Sequence, residues 1–313
     1  MDLDDQQQRV LMTMLGMQRQ SWEQGVASHA LLDLELFDLA EIVARDAVTR
    51  QNPEGMLAEI DGYGLVNSGS VGEVVRWAGF AHSFTRQVNW LLRDCPRAAD
   101  GTLFHIRDLQ EMWIDTVYMV VPLLLASGEV EAARLQFEGH RRRLFDASTG
   151  LYAWRWDENE ARVTHPEHWG TGTGWVVAGI SRSIRILGDH PFSVDLAEHA
   201  RGVIDACLAL RRPDGIFHNI VDDKSTFAEG NLAQMLAYAI LTGVLDGWLP
   251  ASYEGPGRSL VASARNLVDR QGFVQRVCGA PHFDHQGTSV EAQAFFLLAT
   301  NAEQRLDASR AGR

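Results

Sequence analysis

Residues 111–128 read EMWIDTVYMVVPLLLASG, a stretch that is apolar on nearly every side of a helix except at Asp115. Such a pattern predicts one helix buried inside a large helical protein. No basic residue lies within one helical turn of Asp115. Because burying an ionised carboxylate without a partner is costly, such a group tends to be protonated. This is the form that a general acid requires, although a bond to a backbone N–H or an arginine would also explain Asp115.

Helical periodicity extends over most of the chain, whereas strand-like alternation is scarce. Apolar residues recur at three- and four-residue spacing in the segments 22–50, 71–93, 109–127, 130–145, 175–188, 195–211, 230–246, 257–269 and 289–300. No linker rich in Pro, Gly or Ser separates these segments. We therefore expect one all-α domain over residues 1–313, with short polar tails at about 1–8 and 303–313.

Glycine turns divide the helical segments at intervals that fit a helical hairpin with its loops. Each glycine follows a helical segment and precedes hydrophobic or aromatic residues. The glycines are Gly55, Gly101, Gly150, Gly215 and Gly272. A hairpin repeated around a ring predicts an (α/α) barrel with its turn loops at one mouth. The alternative is an irregular all-α domain with ordinary glycine C-caps.

The composition is that of an acidic globular protein, with 46% hydrophobic residues and a net charge of -13. This charge repels phosphate backbones, and no cluster of basic residues follows a helix, so nucleic-acid binding is not expected. Lys224 is the only lysine, which makes Schiff-base chemistry improbable. The widely separated cysteines, the polar N-terminus and the lack of a long apolar run predict a cytoplasmic protein without membrane contact. We expect a monomer or a homodimer.

Several glutamates occupy positions typical of helix starts. In each case a Ser or Thr stands three residues earlier, which is the spacing of a capping box. The pairs are Ser70 with Glu73, Thr226 with Glu229, and Thr288 with Glu291. In a capping box the acid satisfies free backbone N–H groups, so we predict a structural role for these glutamates.

Aromatic and histidine residues cluster in the middle of the chain and favour a sugar-like ligand. Tryptophan faces pack against the C–H faces of pyranose rings, and histidines and carboxylates bind hydroxyl groups. The cluster comprises Trp113, Trp154, Trp156, Trp169, Trp175, His105, His165 and His168. Within it, HWGTGTGW (168–175) predicts a loop with exposed backbone N–H groups between two tryptophans.

A further polar stretch, CGAPHFDHQGTS (278–289), contains His282, Asp284 and His285. Two histidines and an aspartate could hold a divalent metal, but the spacing differs from HxxxH on a helix face. A polar loop over a cavity mouth explains these residues equally well. No metal is therefore expected.

Four segments of the chain resemble a known family. CPRAADGTLFHIRDLQEMWIDTVYMVVPLL (95–124) is similar to the segment that carries the catalytic Asp of unsaturated glucuronyl and rhamnogalacturonyl hydrolases, glycoside hydrolase families 88 and 105. TGLYAWRWDE (149–158), WGTGTGW (169–175) and DGIFHNIVDD (214–223) resemble further motifs of these families. The resemblance runs from about Ser21 to Leu298, and it implies an (α/α)6 barrel of six helical hairpins.

The resemblance also implies roles for individual residues. Asp115 matches the Asp that protonates the C4=C5 double bond of a terminal 4,5-unsaturated uronic acid and activates water toward C5. Asn67 stands where the family has a second Asp, Thr171 where some members have an Arg, and Trp154 where a His is common. The other residues expected to bind substrate are His105, Trp113, Met119, Trp169, Trp175, His218, Glu229, His282 and His285. No cofactor is implied.

The first hypothesis is therefore a hydrolase of unsaturated uronide oligosaccharides, which are small-molecule substrates. Because Asn67 and Thr171 depart from the family pattern, the alternative is a repurposed barrel that acts on or binds another small metabolite. A third hypothesis is a two-carboxylate glycosidase, which needs a second acid that faces Asp115. The candidates for that acid are Glu73, Glu229 and Asp61.

Overall fold

The computed structural model describes residues 3–311, and these residues form twelve α-helices. The helices are α1 (Asp5–Met17), α2 (Ser21–Asp33), α3 (Phe37–Thr49), α4 (Gly72–Trp77), α5 (Ala81–Asn89), α6 (Thr116–Ala126), α7 (Val130–Leu144), α8 (Gly170–Leu187), α9 (Pro191–Ala209), α10 (Asn231–Leu245), α11 (Glu254–Arg265) and α12 (Val290–Ala311). A 3-10 helix at Asn67–Val71 leads into α4, and a π-helical turn at Trp90–Asp94 follows α5. Within the described range, no helix is both long and apolar enough to cross a membrane.

The helices form two concentric layers. The inner ring consists of α2, α4 with its 3-10 helix, α6, α8, α10 and α12, and it closes where α12 packs against α2. Each inner helix packs on one outer helix, which is α3, α5, α7, α9, α11 and α1 in the same order. Every residue of α6 is buried, whereas its outer partner α7 exposes Glu131 and Arg142. The predicted (α/α)6 barrel of six helical hairpins is confirmed.

The predicted glycine turns follow the outer helices α3, α5, α7, α9 and α11. Their φ angles lie between 75° and 110°, in the region that favours glycine. At Gly55 an added Cβ atom would lie 2.7 Å from the Arg86 carbonyl oxygen, so a larger residue would clash. Each turn starts a loop that leads to the next inner helix. The loops therefore gather at the end of the barrel where the inner helices begin.

Short antiparallel strands stabilise these loops. The strands are β1 (Glu111–Trp113), β2 (Phe145–Asp146), β3 (Leu151–Tyr152), β4 (Arg155–Asp157), β5 (Arg162–His165), β6 (Phe217–His218), β7 (Ala228–Glu229), β8 (Val277–Cys278) and β9 (Gln286–Gly287). One sheet has the order β1-β4-β5, and the other strands pair as the hairpins β2-β3, β6-β7 and β8-β9. The loops thus contain small sheets. The sequence did not indicate them, because it has little strand-like alternation of apolar and polar residues.

The helix expected over 111–128 begins later than predicted. Residues 111–113 form β1, in which Trp113 lies opposite Arg155 of β4. The helix α6 begins only at Thr116, so Asp115 precedes the helix and does not lie inside it. The apolar pattern could not show this boundary, because Met112 in the strand and Ile114 after it are buried as fully as the helix residues that follow.

The ends of the described chain are helical. Polar tails are expected at about 1–8 and 303–313, but α1 and α12 extend into these ranges. Gln7 is fully buried and donates to Thr300 Oγ1 at 3.0 Å, which joins α1 to α12. Polar residues near the ends therefore contact a partner helix. Residues 1, 2, 312 and 313 of the expected tails lie outside the described part of the chain.

A cluster of ion pairs lies toward the opposite end of the barrel, where α2 and α8 end. Arg182 donates to Glu73 Oε1 at 2.6 Å and lies 3.5 Å from Asp33 Oδ1. Burial raises the pKa of Glu73, but the Arg182 charge outweighs this effect and lowers that pKa to about 2. The capping box predicted for Ser70 and Glu73 is therefore wrong. Its acid pairs with the arginine, and its hydroxyl group donates to the Asn67 carbonyl oxygen at 2.8 Å.

Candidate active site

A cavity of about 320 Å³ lies at the mouth formed by the loops. Ligand pockets usually have volumes of about 300–1,000 Å³, so this cavity suits a short substrate. Its lining residues are Trp22, Tyr63, Asn67, His105, Ile106, Trp113, Asp115, Met119, Trp154, Arg155, Trp169, Trp175, Pro281, His282, Phe283 and Glu291. They come from the loops and first turns at the starts of the inner helices, as the barrel geometry requires.

Asp115 lies in the wall of this cavity, directly before α6. Its side chain is 16% exposed, and Oδ1 lies 3.7 Å from His105 Nδ1. Oδ1 is buried without a hydrogen-bond partner among the described residues, and the side chain does not cap the helix. The carboxyl group is therefore free to act on a ligand. Its catalytic role stays a prediction.

His105 is fixed beside Asp115 by stacking and hydrogen bonding. Its ring stacks on Trp113 with the centroids 4.7 Å apart, and Nδ1 lies 2.8 Å from Thr116 Oγ1. Burial lowers the pKa of His105, although the Asp115 charge acts in the opposite direction. The imidazole is therefore uncharged near neutral pH, and it lies beside the carboxyl group without a hydrogen bond to it.

Asn67 stands at the start of the 3-10 helix and lines the same cavity. Its side-chain amide has no hydrogen-bond partner within residues 3–311. An amide can donate to and accept from a sugar hydroxyl group, but it cannot transfer a proton as a carboxyl group can. Asn67 is therefore suited to binding and not to acid–base chemistry.

Indole rings and a thioether form the apolar side of the cavity. The Trp154 ring lies 6.2 Å from the Trp113 ring and 5.4 Å from the Trp169 ring, measured between centroids. Trp175 lies deeper and is 3% exposed, and Met119 is equally buried beside the cavity. Such surfaces suit the C–H faces of a sugar ring, which is the type of ligand predicted from the tryptophans in the sequence.

The structure brings together part of the predicted site. The predicted residues that line the cavity are Asp115, Asn67, His105, Trp113, Met119, Trp154, Trp169, Trp175 and His282. The predicted residues that do not line it are Thr171, His218, Glu229 and His285. Local folding explains each of these corrections.

Thr171 and Glu229 are buried behind the cavity wall. HWGTGTGW does not form an exposed loop, because α8 begins at Gly170 and its first turn is buried. Thr171 is consequently buried beside the Glu229 carboxylate. Glu229 accepts bonds from the Asn231 N–H (2.6 Å) and the Leu232 N–H (3.0 Å), so it acts at a helix start as predicted. The predicted capping box with Thr226 is wrong, because the Thr226 hydroxyl oxygen accepts the Ile220 N–H instead. Glu229 does not contact a ligand in the cavity.

The remaining predicted histidines have other partners. His218 lies in β6, where its Nδ1 is 3.0 Å from the Thr226 carbonyl oxygen. His285 is exposed, and its Nδ1 lies 2.6 Å from Asp284 Oδ1. Across residues 3–311, no three His, Cys, Asp or Glu side chains converge as a metal site would require.

A profile of Glycosyl Hydrolase Family 88 matches residues 79–303, a range that holds most of the cavity lining. The chain belongs to this family. Unsaturated rhamnogalacturonyl hydrolase YesR from Bacillus subtilis is 24% identical to it over 212 residues, which cover 63% of this chain. The match spans 60% of the length of YesR, less than two thirds of that relative. The predicted family resemblance is confirmed.

Solved structures share the fold of this chain. A possible member of the GH105 family from Salmonella enterica has a TM-score of 0.80 and 17% identity, covering 97% of this chain and 93% of that chain. Unsaturated glucuronyl hydrolase from Bacillus sp. GL1 has a TM-score of 0.67 and 15% identity, covering 93% and 85%. At these identities the likeness shows the fold alone.

Glu291 is a second acid that lines the cavity, and it is not among the predicted site residues. It lies in the first turn of α12, is 2% exposed, and has an Oε2 atom without a partner in the described chain. Burial raises the pKa of Glu291 to about 8, and the Glu23 and Glu229 charges act in the same direction. The group is therefore mostly protonated at neutral pH.

The capping box predicted for Thr288 and Glu291 is wrong. The Ser289 hydroxyl oxygen accepts the Ala292 N–H at the start of α12 instead.

Other lining residues were also missed. Arg155 belongs to β4, and the rest are Trp22, Tyr63, Ile106, Pro281 and Phe283. Most of them lie between a glycine turn and the next inner helix, and Trp22 lies in the first turn of α2. Their position in the helical repeat is the signal that could have identified them.

The acids proposed as partners of Asp115 in a two-carboxylate glycosidase lie elsewhere. Glu73 pairs with Arg182, Glu229 accepts bonds at the start of α10, and Asp61 is exposed and accepts a bond from the Tyr63 N–H. Among residues 3–311, Glu291 is the only other Asp or Glu that lines the cavity. The prediction that Glu73, Glu229 or Asp61 faces Asp115 is therefore wrong.

Proposed function

We propose that this family 88 member hydrolyses unsaturated uronide oligosaccharides, with Asp115 as general acid and base. The observation that carries the proposal is the Asp115 carboxyl group, which has an unpartnered buried oxygen in a cavity walled by tryptophans. The similarity to YesR, an unsaturated rhamnogalacturonyl hydrolase, and to the Bacillus sp. GL1 unsaturated glucuronyl hydrolase supports this substrate class.

In the proposed reaction, Asp115 protonates C4 of the C4=C5 double bond in a terminal 4,5-unsaturated uronic acid. A water molecule adds to C5 and returns a proton to the Asp115 carboxylate, which regenerates the acid. The resulting hemiketal collapses, so that the bond to the neighbouring sugar breaks and a keto acid remains. Neutral His105 lies 3.7 Å from Asp115 Oδ1 and leaves that oxygen free for the substrate, and the Asn67 amide binds a substrate hydroxyl group.

The test is the loss of enol-ether absorbance when the protein is incubated with a panel of unsaturated uronide disaccharides. The matched control substrates are the saturated disaccharides, which have no C4=C5 double bond and should not be cleaved. We expect turnover of at least one unsaturated substrate and of no saturated one. If the folded protein caused no loss of absorbance with any of the substrates, the proposal would be overturned and a repurposed metabolite-binding barrel would be favoured.

Replacing Asn67 tests whether the cavity works as a uronide hydrolase. We expect Asn67→Asp to raise kcat by about tenfold or more, because it adds a carboxyl group that can share the proton of Asp115. The control Asn159→Asp adds the same charge at an exposed position outside the cavity and should leave kcat unchanged. A decrease of kcat in Asn67→Asp would show that the reaction depends on the amide, as in a repurposed site.

The raised pKa of Glu291 predicts an alkaline limb in the pH profile. As pH rises through about 8, Glu291 becomes charged in a cavity that must accept an anionic substrate, so kcat/KM should fall. We expect Glu291→Gln to remove this limb. The control Glu303→Gln changes another α12 glutamate with a raised pKa that does not line the cavity, and should retain it. An unchanged limb in Glu291→Gln would assign it to another group.

A further inference from the structure

Arg155 enters the cavity from β4, between two tryptophan rings. Its Cζ atom lies 3.9 Å from the centroid of Trp113 and 4.2 Å from the centroid of Trp154. Trp113 is its register partner on β1. The two indole rings, inclined at 65° to each other, both make cation–π contacts with the guanidinium group and restrict its position.

These N–H groups lack protein acceptors. Within residues 3–311 the guanidinium group makes no hydrogen bond, and its Nε is buried without a partner. The nearest acid is Glu111, whose Oε2 lies 3.9 Å from Nη1 and already accepts the Trp113 Nε1–H at 2.7 Å. Burial lowers the pKa of Arg155. Holding an arginine desolvated in this way is costly unless a ligand anion pairs with it.

The contrast with a neighbouring arginine is clear. Arg143 is more deeply buried than Arg155, with 10% of its side chain exposed against 22%. Arg143 donates to Asp100 at 2.8 Å and to Glu158 at 3.1 Å, outside the cavity. Arg143 therefore has hydrogen-bonded carboxylate partners, whereas Arg155 has only the Glu111 carboxylate at 3.9 Å, beyond hydrogen-bond distance.

Arg155 is also the only arginine or lysine that lines the cavity in the described chain. Thr171 is buried in α8 and does not line the cavity. A uronic acid has one carboxylate, and a planar guanidinium edge can donate two parallel hydrogen bonds to it.

We propose that Arg155 binds the carboxylate of the uronic acid ring and makes the site selective for an anionic sugar. The proposal rests on the proposed function, since it takes the ligand to be an unsaturated uronide. Arg155 reaches the cavity from the strand β4.

The test compares an unsaturated uronide disaccharide with its methyl ester, which keeps the double bond but lacks the negative charge. We expect the wild-type protein to favour the free acid over the ester by about 10- to 100-fold in kcat/KM, as for a charge-assisted hydrogen bond. Arg155→Met should lose most of this preference through a higher KM for the acid, with the ester little affected. Arg155→Lys should give an intermediate preference, because it keeps the charge but not the paired donors.

Controls separate the possible failures. Arg162→Met removes an exposed arginine from the adjacent strand β5 and should keep the wild-type preference. If the wild-type protein turns over neither substrate, the proposed function and this inference both fail. If it turns over the acid but Arg155→Met and Arg155→Lys keep the full preference, or lose acid and ester turnover equally, the function stands and the role of Arg155 is overturned.

Discussion

Asp115→Asn is expected to lower kcat for unsaturated uronides by between about 100- and 10,000-fold, the range for loss of a general acid–base group. Asparagine has the same shape but cannot give a proton to C4 or recover one from water. The substitution should leave the fold intact, because the Asp115 side chain does not cap α6 and its Oδ1 makes no protein hydrogen bond in residues 3–311. The measurement is initial-rate loss of enol-ether absorbance, with the thermal unfolding midpoint recorded for each protein.

A matched control is available in the same loop. Asp108 is exposed, lies outside the cavity and has a φ angle of 67°, which asparagine also tolerates. Asp108→Asn should therefore retain wild-type kcat. If Asp115→Asn retained it as well, Asp115 would not be the catalytic acid, and Glu291 would become the acid to test next.

The barrel could be predicted because its signals are local. An inner helix that is apolar on every side, and a glycine with positive φ after each outer helix, are visible in short segments of sequence. The strand β1 could not be predicted in the same way. Its partner β4 lies on a different hairpin, so the hydrogen bonds that decide between strand and helix at residues 111–113 come from tertiary structure.

The cavity could be predicted only in part, for a similar reason. Asp115 was conspicuous because no local group explains a carboxylate there. Glu73, Glu229 and Glu291 each follow a hydroxyl residue at the same spacing. In the structure, however, Glu73 pairs with an arginine, Glu229 binds N–H groups at a helix start, and Glu291 lines the cavity. Arg155 stands between two tryptophans in sequence, and only its register with β1 places it in the cavity. The sequence positions of these residues are alike, and their three-dimensional neighbours differ.

The end of the barrel opposite the cavity depends on the charge of Arg182. Its side chain is 4% exposed and lies between Glu73 and Asp33, whose side chains are 30% and 10% exposed. Asp33 also has Arg185 as a partner at 3.2 Å, so Glu73 depends most on Arg182. The Tyr238 hydroxyl group lies 3.3 Å from Arg182 Nη1 and extends the cluster to α10. The arginine therefore links the inner helices α2, α4, α8 and α10.

Arg182→Met is expected to lower the free energy of unfolding by up to about 3 kcal/mol, since it removes a buried cation and leaves the partly buried Glu73 without its arginine. Urea unfolding followed by tryptophan fluorescence measures this change. Arg45→Met is the control, because Arg45 pairs with Glu41 on the exposed side of α3 and should contribute less than about 1 kcal/mol. The double variant Arg182→Met/Glu73→Gln should recover part of the loss, because the glutamine carries no unpaired charge.

The pH dependence of the Arg182→Met effect provides a second measurement. The folded-state pKa of Glu73, about 2, lies below its ordinary value of 4.5, so the Glu73 pair stabilises the fold fully above that value. This contribution is lost as pH falls toward 2 and Glu73 becomes protonated. The difference in stability between the wild-type protein and Arg182→Met should therefore shrink below about pH 4.5. A difference that stayed constant between pH 7 and pH 3 would mean that Arg182 stabilises the barrel through its packing and not through its charge.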